Sequence, residues 1–170
     1  QYGMTEHGLK LRGGMTLAEA KQLLNLHRIT FPNYWTWSEQ VESYGTLIRQ
    51  LQTPLGWRIQ YPDWNRVNLR SMRNWPIQSA GADMLRIAMV ALEDAGVEVI
   101  APVHDAVLIQ APITEIHDVV EQARDIMRRV SGQLLGGFWL DVDADIVCHP
   151  DRYMEKRGTQ MWNAVLGLLP

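Results

Sequence analysis

His104 and Asp105 stand together in the stretch PVHDAVLIQ (102–110), a run of aliphatic residues interrupted by an imidazole and a carboxylate. A carboxylate at the tip of a hairpin is fixed by the ladder while its head reaches solvent, which is a way to present a ligand to a hard cation. Mg2+ suits such a place, because it takes one or two carboxylates together with substrate phosphates and keeps some of its waters. The plain alternative is a turn aspartate bonded to its own backbone. On spacing alone that alternative is the better reading, and His104 is equally readable as a hydrogen-bonded turn histidine.

Other groups with metal-ligating chemistry fit less well. Asp141, Asp143 and Asp145 mimic the opening of a calcium loop, but Ile146 stands where its glycine belongs and Arg152 where its glutamate belongs. Alternation along a strand explains the three aspartates better. The five histidines and the lone Cys148 have no zinc-site spacing. There is no phosphate-binding glycine loop and no serine elbow. The net charge of −3 makes no global case for a nucleic-acid binder. Six arginines between Arg49 and Arg86 nevertheless face only Asp63 and Asp83 in that stretch. Such an excess serves phosphate contacts or is a solvated face, and charge alone favours the solvated face.

The elements that must hold these residues follow from periodicity. Thr16 and Glu19 have capping-box spacing, which predicts a helix to about His27. A second helix starts near Asn33, with Trp37, Val41, Tyr44, Ile48 and Leu51 on one face. TPLGWRIQYP reads as a hairpin turning at Gly56. A long helical block spans about Asn65 to Ala95, kinked or restarted at Pro76 and stopped by Gly96. VEVIAPVHDAVLIQAP is a hairpin with its connection at His104–Asp105. An amphipathic helix follows over Ile116–Val130, then FWLDVDADIV alternates as a half-buried strand, and the tail is helical in its last third. The result is one α+β unit in which helices outnumber strands.

A 170-residue chain with a 46% hydrophobic fraction can build a real core. No long uncharged apolar stretch predicts a membrane span or signal peptide. The single cysteine fits a reducing compartment, so a cytoplasmic location is expected. Gln1 is not an initiator methionine, and the sequence reads as a fragment or a processed product.

RSMRNWPIQSAGADMLRIAM (70–89), followed by VHDAV (103–107), resembles the end of the polymerase domain of family A DNA polymerases, the bacterial DNA polymerase I group. In that family an arginine, an asparagine and a proline-x-glutamine precede a His-Asp hairpin; here they are Arg70, Asn74, Pro76 and Gln78, then His104 and Asp105. YGMTEHGL resembles the end of the fingers helix, and PLGWRIQYP the small hairpin after it. The likeness runs from Tyr2 to about Tyr153 with the motifs in order.

The resemblance implies an α+β fold of long helices packed on a small antiparallel palm sheet with a catalytic His-Asp hairpin. About 1–53 would be the end of the fingers helices, and 54–170 the hairpin, long helix and palm. It implies template-directed DNA synthesis with two Mg2+ ions, DNA primer–template and dNTPs as partners, and no membrane. Asp105 would be the second metal-bridging aspartate and His104 would lie at the primer terminus. Arg70, Asn74 and Gln78, at i, i+4 and i+8, would meet template and minor groove, and Tyr2 would stack near the template base.

Ala106 replaces the usual glutamate, Pro102 a frequent glutamine, and Trp75 a smaller residue, which suggests a divergent, phage- or mobile-element-like subgroup. The strand bearing the first metal aspartate and the triphosphate-gripping fingers residues are absent from this sequence. The chain alone is therefore expected to be inactive, with an upstream polymerase segment supplying the rest in cis or in trans. The alternatives are a non-catalytic primer–template-binding module and a subunit of a split polymerase, for which Trp35, Trp37, Trp57 and Trp64 would be surface candidates if they are not core.

Overall fold

A computed structural model describes residues 5–62, 67–154 and 156–168 of the chain. It divides into two compact units, Gln1–Arg86 and Ile87–Pro170.

In the first unit, α1 (Glu6–Gly13) is capped by Thr5, and Gly14 takes the left-handed conformation (φ 62°) that ends it. The capping box at Thr16 and Glu19 forms as expected and opens α2 (Leu17–Thr30). Then α3 (Pro32–Ile48) starts with proline in its first turn, where the missing N–H costs nothing.

The packed face of α3 differs from the apolar stripe expected of it. Ser38 and Gly45 are its buried residues, whereas Tyr44 and Ile48 are exposed and Leu51 belongs to the next strand. Periodicity marked the large side chains, but the packed face selects small ones. A Cβ on Gly45 would lie 2.6 Å from Met72 Sδ, and Met72 is completely buried.

The first hairpin begins earlier than expected. Strand β1 (Gln50–Gln52) pairs antiparallel with β2 (Arg58–Gln60), with Leu51 opposite Ile59. Gly56 (φ 90°) lies in the connection, which Thr53 closes by donating from its N–H to Trp57 O (2.8 Å) and accepting from Trp57 N–H at Oγ1 (3.1 Å).

Helix α4 (Leu69–Asp94) has Pro76 inside it and is assigned as one uninterrupted helix. Asn68 starts it, its Oδ1 accepting from the N–H groups of Arg70 (3.0 Å) and Ser71 (3.2 Å). Proline offers no N–H to the Met72 carbonyl, while Ser79 Oγ donates to the carbonyls of Trp75 and Pro76.

In the second unit, α4 ends in a Schellman-type cap: Val97 N–H reaches Leu92 O (3.0 Å), Gly96 N–H reaches Glu93 O (3.0 Å), and Gly96 has φ 78°. Strands β3 (Glu98–Val103) and β4 (Ala106–Gln110) pair antiparallel, with an irregularity at Ile100. One face of this hairpin, Val99, Val107 and Ile109, packs with α5 (Ile116–Leu134) around Leu92, Val97, Ala123 and Ile126. A 3-10 turn (Lys156–Gly158) and α6 (Thr159–Leu166) follow.

The strand expected over 138–147 does not form, and residues 138–148 carry no regular structure. Side chains of α5 occupy the backbone groups that a ladder would need. Leu140 N–H donates to Ser131 Oγ (2.9 Å), Arg124 Nε donates to Val142 O (2.8 Å), and Arg128 pairs with Asp141. Among the described residues no helix is long and apolar enough to cross a membrane.

Candidate nucleic-acid interface and metal ligand

Asp105 and His104 form the two-residue connection between β3 and β4, closed by the Val103–Ala106 pair. Both side chains are exposed. His104 has φ 59°, in the left-handed region. A tight hairpin turn of this kind favours glycine at such a place, and an L-residue there carries about 1–2 kcal/mol of strain. Strain kept at an exposed turn, where glycine would relieve it, is a reason to look for a use of the side chain.

In the first unit, Arg70 lies exposed in the first turn of α4, where the Asn68 cap fixes the helix start. Asn74 is half-buried and Gln78 exposed, one turn apart. Arg70 makes no ion pair among the described residues. Its neighbour Arg73 is committed, with Nε 3.1 Å from Glu42 Oε2. Tyr2 lies outside the described residues, as does Trp64.

Three features escaped the sequence. The first is a cavity of about 300 Å³ in the first unit whose lining includes His27, Phe31, Tyr34, Trp35, Arg70 and Asn74. The i, i+4, i+7, i+8 spacing of the four rings across the α2–α3 junction was the available signal. The second is a buried carboxylate: Asp83 is 1% exposed and pairs through Oδ1 with Arg86, while its Oδ2 has no partner among the described residues. Arg86 also stacks on Trp57 (5.2 Å to the ring centroid), and Trp57 meets Trp75 edge-on at 6.1 Å. That chain of contacts ties the β1–β2 connection to α4, and it accounts for the bulk of Trp75.

The third is the Arg128–Asp141 pair. The Arg128 guanidinium, with help from the Val142 N–H, holds the Asp141 carboxyl below its ordinary range. Asp141 is thus a partner of α5. Desolvation pushes the Tyr61 phenol up.

No group of three or more His, Cys, Asp or Glu is assembled to hold a metal among the described residues. Asp105 therefore offers one carboxylate, which fits Mg2+ as a shared ligand and not as the whole of a site.

The sequence profile of DNA polymerase family A matches residues 1–147. The chain belongs to DNA polymerase family A. It is 28% identical over 141 residues to the thermostable DNA polymerase I of Thermus aquaticus, covering 76% of this chain and 17% of that protein. It is 31% identical over 140 residues to DNA polymerase I of Deinococcus radiodurans, covering 76% of this chain and 15% of the relative. The chain thus spans well under a quarter of the curated relatives it matches.

Among solved structures it resembles the POL domain of Pol1 from M. smegmatis in complex with DNA primer–template and dNTP. The TM-score is 0.65 and the identity 24%, over 76% of this chain and 25% of that one. At that identity the likeness speaks to fold. The α+β character, helix-rich with two small antiparallel sheets, agrees with it.

Proposed function

We propose that this chain is the part of a template-directed DNA polymerase that carries the second metal-binding aspartate, and that DNA primer–template and dNTPs are its partners. The observation that carries the reading is the family match through 1–147, which takes in Arg70, Asn74, Gln78, His104 and Asp105 in order. On this reading 1–53 end the fingers helices, and 54–170 supply the small hairpin, long helix and palm.

The reaction joins the primer 3′-oxygen to the α-phosphorus of a dNTP and releases pyrophosphate. Asp105 would hold Mg2+ through its exposed carboxylate, alongside an aspartate from an upstream segment. Bound Mg2+ supplies acidification of the 3′-hydroxyl and charge neutralisation on the leaving pyrophosphate. His104 is the imidazole at the primer terminus. Gln78, together with His104, donates to the minor-groove acceptors that all base pairs share, so it tests pair geometry without reading sequence. Arg70 and Asn74 position the template, and Tyr2 stacks near its base. Since Asp105 is a single carboxylate, the chain alone is inactive and depends on the upstream segment in cis or in trans.

The test is primer extension with Mg2+ and dNTPs, comparing the chain alone with the chain plus its upstream segment. Extension only in the second case supports the reading. A non-catalytic primer–template-binding module is the second reading, favoured by the lone carboxylate and by Ala106. Binding without extension in either case would establish it.

A further inference from the structure

The excess of arginine between Arg49 and Arg86 resolves unevenly in the first unit. Arg73 pairs with Glu42 and Arg86 with Asp83, Arg66 lies outside the described residues, and Arg70 belongs to the α4 face. Arg49 and Arg58 remain, both exposed and neither in an ion pair among the described residues. Both lie at the β1–β2 ribbon, Arg49 immediately before β1 and Arg58 at the start of β2, opposite Gln52.

Strand alternation separates the two faces of this ribbon. The cross-strand pair of Leu51, which is buried, and Ile59 forms one face; the pairs Gln50–Gln60 and Gln52–Arg58 form the other. No Asp or Glu occurs between Glu42 and Asp63, so this second face offers amides and positive charge with no carboxylate from its own strands. Arg58 is already aimed. Its Nε donates to Gln52 Oε1 at 2.8 Å, which leaves both terminal guanidinium nitrogens for an outside acceptor. Arg49 takes the left-handed conformation (φ 57°) at the C-terminal cap of α3, a place that favours glycine. The ribbon is also held on α4, through Arg86 over Trp57 and Trp57 against Trp75.

A fixed ribbon with a cationic, carboxylate-free face suits a polyanion. The amide face carries no ring on which an unpaired base could stack, and the neighbouring Trp57 is taken up by Arg86 and Trp75. Phosphate contact without base stacking is the mode of a duplex backbone. We propose that the β1–β2 ribbon is a duplex DNA contact apart from the α4 face, with Arg49 and Arg58 each on a phosphate and the glutamine amides beside them. The proposal rests on the polymerase reading only for the identity of that duplex, a primer–template.

The test measures binding of the full chain to a blunt duplex, and to a single strand of the same sequence, by fluorescence anisotropy at salt from about 0.1 to 1 M. Arg49→Gly and Arg58→Ala should each lower the duplex slope of log K against log[salt] by about 0.9, and the double variant by about 1.8. Over that tenfold range each lost contact amounts to about eightfold in Kd at the low-salt end. Arg58→Lys should restore the slope, because counterion release follows charge. Arg49→Gly relieves the left-handed turn, so its loss of affinity would not come from unfolding. A cation that merely favours the end of the α3 dipole would leave the slope unchanged.

No duplex binding, an unchanged slope in the double variant, no rescue by Arg58→Lys, or a slope loss as large for the single strand overturns the proposal. Primer extension by the chain with its upstream segment separates the two readings. Extension together with an unchanged slope in the double variant sinks the ribbon alone; a lowered duplex slope without extension sinks the polymerase reading and leaves the ribbon.

Discussion

Replacing Gly45 by alanine sets two effects against each other in the contact that seats α4 on α3. An alanine in a helix interior is better than glycine by about 0.8–1.0 kcal/mol. The new methyl, however, would lie 2.6 Å from Met72 Sδ and 3.2 Å from both its Cγ and its Cε. Met72 has no exposed surface into which to retreat. Overpacking of this kind costs about 1–3 kcal/mol, so the packing term wins and Gly45→Ala is expected to destabilise by about 1 kcal/mol. In a Met72→Ala background the obstruction is gone and the helix-propensity term alone is left. The same substitution should then stabilise by about 1 kcal/mol, a coupling of about 2 kcal/mol. Urea denaturation followed by tryptophan fluorescence measures all four proteins. A Gly45→Ala protein more stable than its parent in both backgrounds would refute the close approach of α3 and α4, and with it the reason given for the exposed apolar stripe of α3.

Three further outcomes are expected. His104→Gly should relieve the left-handed turn and raise stability by up to about 1 kcal/mol, while harming any step that uses the imidazole; a urea midpoint and an extension assay read the two effects. Arg70→Ala should weaken primer–template binding and lower the salt dependence of log K by about one phosphate contact, whereas Gln78→Ala should weaken binding without changing that slope. The Asp141 carboxyl has its pKa lowered in the folded chain, so its contribution is present above the unfolded carboxylate pKa and is lost as pH falls through the lower folded value. Trp139 emission should accordingly change at acid pH, and Asp141→Asn should remove that change; because the carboxylate is 76% exposed, the effect on overall stability is small.

Much of the fold was legible because local signals and packing agreed. The capping box at Thr16, the stop at Gly96, the β3–β4 hairpin and α5 each had a cap, a turn residue or a clean period, and each formed. Where they disagreed, a tertiary partner decided. The stripe at Tyr44 and Ile48 read as buried because it was large and apolar, yet Gly45 and Ser38 face inward, where two helices come close. FWLDVDADIV had the period of a strand, but a strand also needs a ladder, and Ser131 and Arg124 hold its backbone instead. The proposed site residues were singled out by the order of their motifs and not by chemistry alone, since one aspartate in a turn has no distinctive spacing. The aromatic cavity was hidden because His27 and Trp35 lie on different helices, and only the α2–α3 turn brings their rings together.

The most direct measurement of the central claim is single-nucleotide extension by the polymerase completed with its upstream segment, with Asp105 intact and as Asp105→Ala, alongside primer–template Kd in the same buffer. If Asp105 holds the catalytic metal, extension falls at least a thousandfold, a loss of about 4 kcal/mol of transition-state stabilisation, while Kd changes by less than about threefold. Extension by Asp105→Ala within about tenfold of its parent would contradict the account and return Asp105 to the role of a turn residue.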